Sequence, residues 1–235
     1  MLSSCIVDKS YVVTGHSDST FKIWMLNPDF FETPFISKLG KPIKPEDFLK
    51  KSKLSQRPFQ LVSSPLLTQK AYVSPTEEFH KYYVTALCYY ERESDKAKIL
   101  ISGDAGGDMI ASEIQYDKQS GKIDKVIPFF KKRAHDGWIT NIKRYRNLDI
   151  VVTSSHDTSV SFWEVEKKRK LMTLTEHEKP IQSIQFCHAF EYMVSATDED
   201  LVIWKLKCQE GADYDDVPED ANEDDLPSRY TISAT

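Results

Sequence analysis

Four stretches of this chain repeat one pattern, and that repetition constrains its folding more than any other feature. They are "YVVTGHSDSTFKIWML" (11–26), "ILISGDAGGDMIASEI" (99–114), "DIVVTSSHDTSVSFWEV" (149–165) and "YMVSATDEDLVIWKL" (192–206). Each reads as an apolar strand, a short turn of Gly, Ser and Asp, and a second strand of alternating polarity. Ahead of the last three lies a further alternating strand: "YVTALCYY" (83–90), "ITNIKRYR" (139–146) and "IQSIQFCH" (181–188). Each of these follows a histidine at one spacing, in "HKYYV", "HDGWI" and "HEKPI". The period is near forty residues, as between Trp163 and Trp204.

A repeat of about forty residues with four short strands is the sequence mark of β-propeller blades. The expected fold class is therefore all-β, a propeller of about four four-stranded blades. The pattern resembles the WD-repeat β-propeller family over about 1–26 and 80–206. That resemblance implies a hydrogen-bonded tetrad in each blade: a loop histidine, a Ser or Thr on the second strand, a hairpin Asp, and a Trp on the third strand. The third repeat matches throughout, with His135, Thr153, Asp157 and Trp163. In the fourth, His177, Ser195 and Trp204 match, and the shorter hairpin leaves Asp198 or Asp200 as the acid. The first keeps Thr14, Asp18 and Trp24, and its histidine would precede Met1. The second keeps His80 and Ser102, with Gly106 at the Asp position and Ser112 at the Trp position.

The chain divides accordingly into a first repeat, incomplete at its N-terminus (1–26), an insertion (27–79), three further repeats (80–206) and an acidic tail (207–235). The insertion is far longer than the loops of compact domains. It holds a short helix expected in "KPEDFLKKSKL" and an apolar "FQLVSSPLL" (59–67) that could supply the first blade's outer strand. Residues 209–228, acidic and proline-containing with little apolar content, are expected to be disordered. The closing "RYTISAT" regains β-forming residues and could return as the fourth blade's outer strand.

His135, Asp157 and a neighbouring serine imitate a hydrolase triad. A triad needs an exposed, activated nucleophile and an oxyanion hole, and no strand–GxSxG–helix setting is present. The same residue types recur from repeat to repeat, which suits a structural network satisfying a buried indole and imidazole. No metal site is expected, because the six histidines form no HxH, HExxH or Cys/His pairing. The tail's spaced carboxylates lack the turn glycine and closing glutamate of a calcium loop. "GDAGGD" (103–108) joins two strands, so it offers a phosphate no helix N-terminus. No cofactor is implied. The four cysteines are scattered, each in or beside an apolar run, and read as buried free thiols.

The chain is 40% hydrophobic and 29% charged, with a net charge of −5, which gives no electrostatic case for broad nucleic-acid or membrane binding. Basic residues do cluster in "FFKKRAHDGW" (129–138) and "EKKRKL" (166–171). One continuous stripe of them would favour an RNA-associated protein, and a central pocket of carboxylates would favour an enzyme. The reading we expect is a non-enzymatic, cytoplasmic protein-interaction scaffold, a subunit of a larger complex without membrane contact. Trp138 and His156 are the candidate partner contacts; the alternative for Trp138 is packing against a neighbouring blade. Four repeats leave a toroid incomplete, so the remaining blades are expected from the same longer protein or from another chain. Within the family, "YVTALCYYERESDKAKILISGDAGGD" and "AHDGWITNIKRYRNLDIVVTSSHD" are similar to large WD-repeat proteins of cilia and flagella, without the EF-hands some of those carry. That similarity implies an axonemal location.

Overall fold

The computed structural model describes residues 1–8, 10–26, 67–117, 119–145, 150–187, 192–210 and 230–234. All its regular structure is β, in four antiparallel sheets of four strands each. The first sheet holds β1 (Ser3–Val7), β2 (Tyr11–Gly15), β3 (Phe21–Leu26) and β4 (Leu67–Val73). The second holds β5 (Val84–Glu91), β6 (Lys98–Asp104), β7 (Asp108–Tyr116) and β8 (Ile123–Arg133). The third holds β9 (Ile139–Tyr145), β10 (Ile150–Ser155), β11 (Val160–Glu164) and β12 (Arg169–Leu174). The fourth holds β13 (Ser183–Cys187), β14 (Tyr192–Ala196), β15 (Leu201–Glu210) and β16 (Tyr230–Ala234). Each sheet is a meander in chain order, the arrangement of a WD-type blade, and the series makes a partial propeller with no closed sheet.

Hairpin chemistry sets the register. Asp18, Asp104 and Asp157 each accept, through Oδ1, the backbone N–H two residues on, from Thr20, Gly106 and Ser159. These Asx turns fold the chain back between the second and third strands. Ser19, Gly107 and Thr158 take the positive φ that the turns require. The outer strand of the first sheet begins at Leu67, at the last residue of the expected "FQLVSSPLL", and runs on through "TQKAYV". Tyr72 anchors it by stacking on Phe21 at 6.1 Å between ring centroids. The closing segment does return, as β16 beside β15. The expected helix and the tail residues 211–229 lie outside the described residues.

Between consecutive sheets lie three apolar layers. Val13, Phe21 and Ile23 meet Leu100 and Ile110 between the first and second sheets. Ile99, Ile101 and Met109 meet Val151 and Trp163 between the second and third. Val152, Val160 and Phe162 meet Met193 and Trp204 between the third and fourth. Sheets two and three are covered on both faces, which is why "ILI" and "IVV" run apolar without alternation.

Polar links reinforce the layers along the inner edge. Ser3 Oγ donates to the Val84 carbonyl, Thr85 Oγ1 to Ile139 and Asn141 Nδ2 to Gln182, each reaching the next inner strand or the residue leading into it. At the β1–β2 hairpin, Asp8 (φ 52°) accepts from Tyr89 Oη at 2.7 Å, from Tyr116 Oη at 2.9 Å and from Lys98. Burial alone would raise the Asp8 pKa, but these three donors together hold it below the usual carboxylate range.

Gly15 sits where the first two sheets touch. A Cβ there would lie 2.5 Å from the Val84 carbonyl oxygen, a backbone atom that cannot rotate away. Gly15→Ala should cost about 1–3 kcal/mol, a melting temperature roughly 2–10 °C lower. An unchanged melt would mean that the sheets are not in contact there.

Candidate functional site

The side chains singled out from the repeats converge on one hydroxyl in each sheet. In the third sheet, Thr153 is buried at the centre of β10. Trp163 Nε1–H donates to its Oγ1 at 3.0 Å, and His135 Nε2 lies 2.8 Å away. His135 Nδ1 faces the Asp157 carboxylate at 3.1 Å and so must carry a proton. In the neutral imidazole Nε2 is then the acceptor, and Thr153 donates to it. The chain of donors runs in one direction, from indole through hydroxyl and imidazole to carboxylate. Asp157 also accepts from Ser159 Oγ and from the Asp136 N–H. Burial pushes this carboxyl up, but the bonds from His135, Ser159 and Asp136 outweigh it and hold the pKa far below the carboxylate range.

The other sheets vary the arrangement. His80 Nε2 meets Ser102 Oγ at 2.7 Å in the second. Its Nδ1 bonds Asp104 at 2.9 Å, so Asp104, two residues before Gly106, supplies the carboxylate there. Ser112 holds the tryptophan position, and its buried hydroxyl has no partner among the described residues. The fourth sheet brings together Ser195 with His177 Nε2 at 2.6 Å and Trp204 Nε1 at 2.7 Å. Neither Asp198 nor Asp200 bonds His177, whose buried Nδ1 has no partner among the described residues. The shortened hairpin accounts for this: Thr197 caps the turn by accepting the Glu199 and Asp200 N–H groups. Burial lowers the His177 pKa, against the opposing pull of Asp200. In the first sheet Trp24 Nε1 donates to Thr14 Oγ1 at 2.7 Å, and His16, from the β2–β3 hairpin, approaches the same oxygen at 2.7 Å. Asp18 is exposed there and binds Thr20 and Lys22.

Most of these catalytic-looking groups are thus bonded to one another, His135 to Thr153 and Asp157, His80 to Ser102 and Asp104, and His177 to Ser195. Exposed aromatic groups gather instead on the loops at the hairpin end of the sheets. Trp138 is 47% exposed and stacks on His156, with centroids 5.5 Å apart and planes 8° from parallel. Tyr83 takes the same place after His80 that Trp138 takes after His135. The two loops are clamped alike: the Tyr83 carbonyl accepts the Ala105 N–H, and the Trp138 carbonyl accepts the His156 N–H. Tyr82 lies across Gly106, where a Cβ would come within 2.2 Å of its ring.

Beside these loops an open cleft of about 410 Å³ is lined by Arg133, His135, Asp136, Asp157, Lys170 and Thr173 among others. Arg133 and Lys170, one from each basic run, line it together. Lys167 and Arg169 pair with Glu164, Arg133 pairs with Asp136, and Lys131 bonds the Phe79 carbonyl. The charges are therefore interleaved rather than continuous. Among the described residues no group of three or more His, Cys, Asp or Glu side chains could hold a metal.

The family described as "WD domain, G-beta repeat" matches residues 168–205, which span β12 to the first half of β15. The match supports the WD-repeat family and, with it, a protein-interaction scaffold in general terms. Among solved structures, the computationally designed Ika4 protein is similar with a TM-score of 0.51 and 18% identity, over 84% of this chain and 86% of that one. The designed Ika8 protein is similar with a TM-score of 0.52 and 18% identity, over 87% of this chain but 45% of that one. At these identities the likeness is one of fold.

Two outcomes follow from the network. Thr153→Val keeps the shape but strands a buried indole N–H and imidazole, so urea titration should show a loss of about 2–4 kcal/mol; a loss within about 0.5 kcal/mol would remove the hydroxyl from its central role. With pKa values depressed in the folded state, Asp157 lends stability that is complete above about pH 5 and lost as pH falls through the acid range. Asp157→Asn should flatten that acid limb, and an unaltered limb would contradict the assignment.

Proposed function

We propose that this chain is a non-enzymatic protein-interaction scaffold whose partners dock on the loops at the hairpin end of the sheets. The observation that carries the reading is the Trp138–His156 stack, an exposed aromatic pair on loops clamped by backbone hydrogen bonds. Aromatic side chains on a rigid frame give large contact area at little ordering cost, and such anchors dominate interface energetics. Tyr82 and Tyr83, exposed on the neighbouring loop, extend the surface. The buried hydroxyl networks support the frame. The narrower form of this proposal places the scaffold in the cytoplasm as a subunit of a ciliary or flagellar axonemal complex, on the sequence similarity alone.

Quantitative affinity capture on tagged protein tests both forms. Trp138→Ala should reduce recovery of the specific partners about tenfold or more while the melt stays within about 2 °C of the parent. Recovery of axonemal proteins supports the narrower form. An unchanged partner set from the alanine variant would place docking elsewhere.

A further inference from the structure

Equivalent positions in the four sheets can be compared through the strand registers. On the face that each sheet turns toward its successor, Val13 pairs with Ile23, Ile101 with Ala111, Val152 with Phe162, and Val194 with Ile203. Ile23, Ala111 and Phe162 are completely buried, whereas Ile203 is 59% exposed. One row away, Phe21, Met109 and Val160 are buried, whereas Leu201 is 62% exposed. Tyr192, whose equivalents are Tyr11, Ile99 and Ile150, is exposed as well. Ser183 occupies the register position of Ser3 and Asn141, yet among the described residues it has no carbonyl to donate to.

The face turned toward the preceding sheet shows the converse at the other end. There Ile6, Val12 and Trp24 form the row matched by Tyr89, Leu100 and Ser112, by Arg144, Val151 and Trp163, and by Phe186, Met193 and Trp204. Leu100, Val151, Met193, Trp163 and Trp204 are buried, but Ile6 is 67% exposed and Val12 and Trp24 are only half-buried. One chain therefore carries, uncovered and at opposite ends, both halves of the sheet-to-sheet contact that it already makes three times within itself. β1, β5, β9 and β13 pack side by side in that order, and among the described residues β13 makes no comparable contact with β1.

We infer that the occupant of these faces is a second copy of this chain. The fourth sheet of one copy packs on the first sheet of the other, and the same contact forms in reverse, giving a head-to-tail ring of eight sheets. A surface that is complementary to another on the same molecule is heterologous and assembles into rings when the rotation closes. Ile203, Leu201, Tyr192 and Val12 have equivalents that are buried in every internal contact, and those of Ile6 are half-buried, so burial in the dimer supplies the same driving force. Trp138 and His156 lie on a different surface, so this inference and the loop-face reading can fail separately.

Light scattering on the full chain tests it, with two variants. The parent protein should weigh twice the 27.1 kDa chain. Ile203→Asp and Ile6→Arg each damage both contacts of a homodimer and should each give a monomer, with dissociation constants raised by roughly 30-fold or more. Mixing the two variants restores one undamaged contact, and sets Asp against Arg in the other, so the mixture should return to dimer mass. A parent protein that stays monomeric at about 100 μM with a cooperative melt overturns the inference. So does a mixture that stays monomeric, or a dimer in either variant alone. Should a variant unfold, hydrogen exchange of the parent against concentration decides: protection must rise on 192–205 together with β1 to β3, and a rise elsewhere refutes the contact.

Discussion

The rest of this structure depends on a hydroxyl group at the middle of each sheet. Thr14, Ser102, Thr153 and Ser195 each hold a histidine Nε2 within hydrogen-bond distance, and three of the four also accept an indole N–H. The donor and acceptor requirements of two large ring systems are met inside an apolar layer by one small side chain. A Ser or Thr is the only solution at this position that is small enough for the strand and able to donate and accept together. In the third and fourth sheets the histidine comes from the loop before the innermost strand and the tryptophan from the third strand, so the bond sets the sheet's loop against its strands. A satisfied buried network of this kind fixes one arrangement, since any shift strands a polar group at a cost comparable to a lost hydrogen bond.

The second constraint is that these sheets are apolar on both faces. Such a sheet has no soluble side and is stable only when sandwiched. Sheets two and three meet that condition within the chain, while the first and fourth each turn one apolar face outward. Loops at the hairpin end are held by backbone bonds to the adjacent turns, so they inherit the rigidity of the layers below. The proposed scaffold function and the proposed assembly rest on the same packing: the interior fixes the loops, and the two end sheets carry the uncovered apolar faces.

Much of this was legible in the sequence because spacing carries it. His135, Thr153, Asp157 and Trp163 stand at offsets that strand register enforces, and the structure brings them together. Spacing failed where the acid came from another place in the turn. Asp104 lies two residues before the position expected for an acid, yet its carboxylate reaches His80 and also accepts the Gly106 and Asp108 N–H groups. His16 was illegible as a network member, since it approaches Thr14 from the hairpin rather than from an upstream loop. The Asp8 cluster joins residues from three hairpins and strands, 81 to 108 positions apart, and no one-dimensional pattern marks it. Exposure of Ile203 was equally hidden, because its sequence context matches that of the buried Phe162.

The most direct test of the hydroxyl-centred account is hydrogen exchange of the indole N–H groups, read in a ¹H–¹⁵N spectrum. The chain has four tryptophans. Trp163 and Trp204 should exchange slowest, Trp24 should be protected, and exposed Trp138 should exchange at close to the free rate. Equal exchange of all four would contradict it, showing that the indoles are not held on the buried hydroxyls.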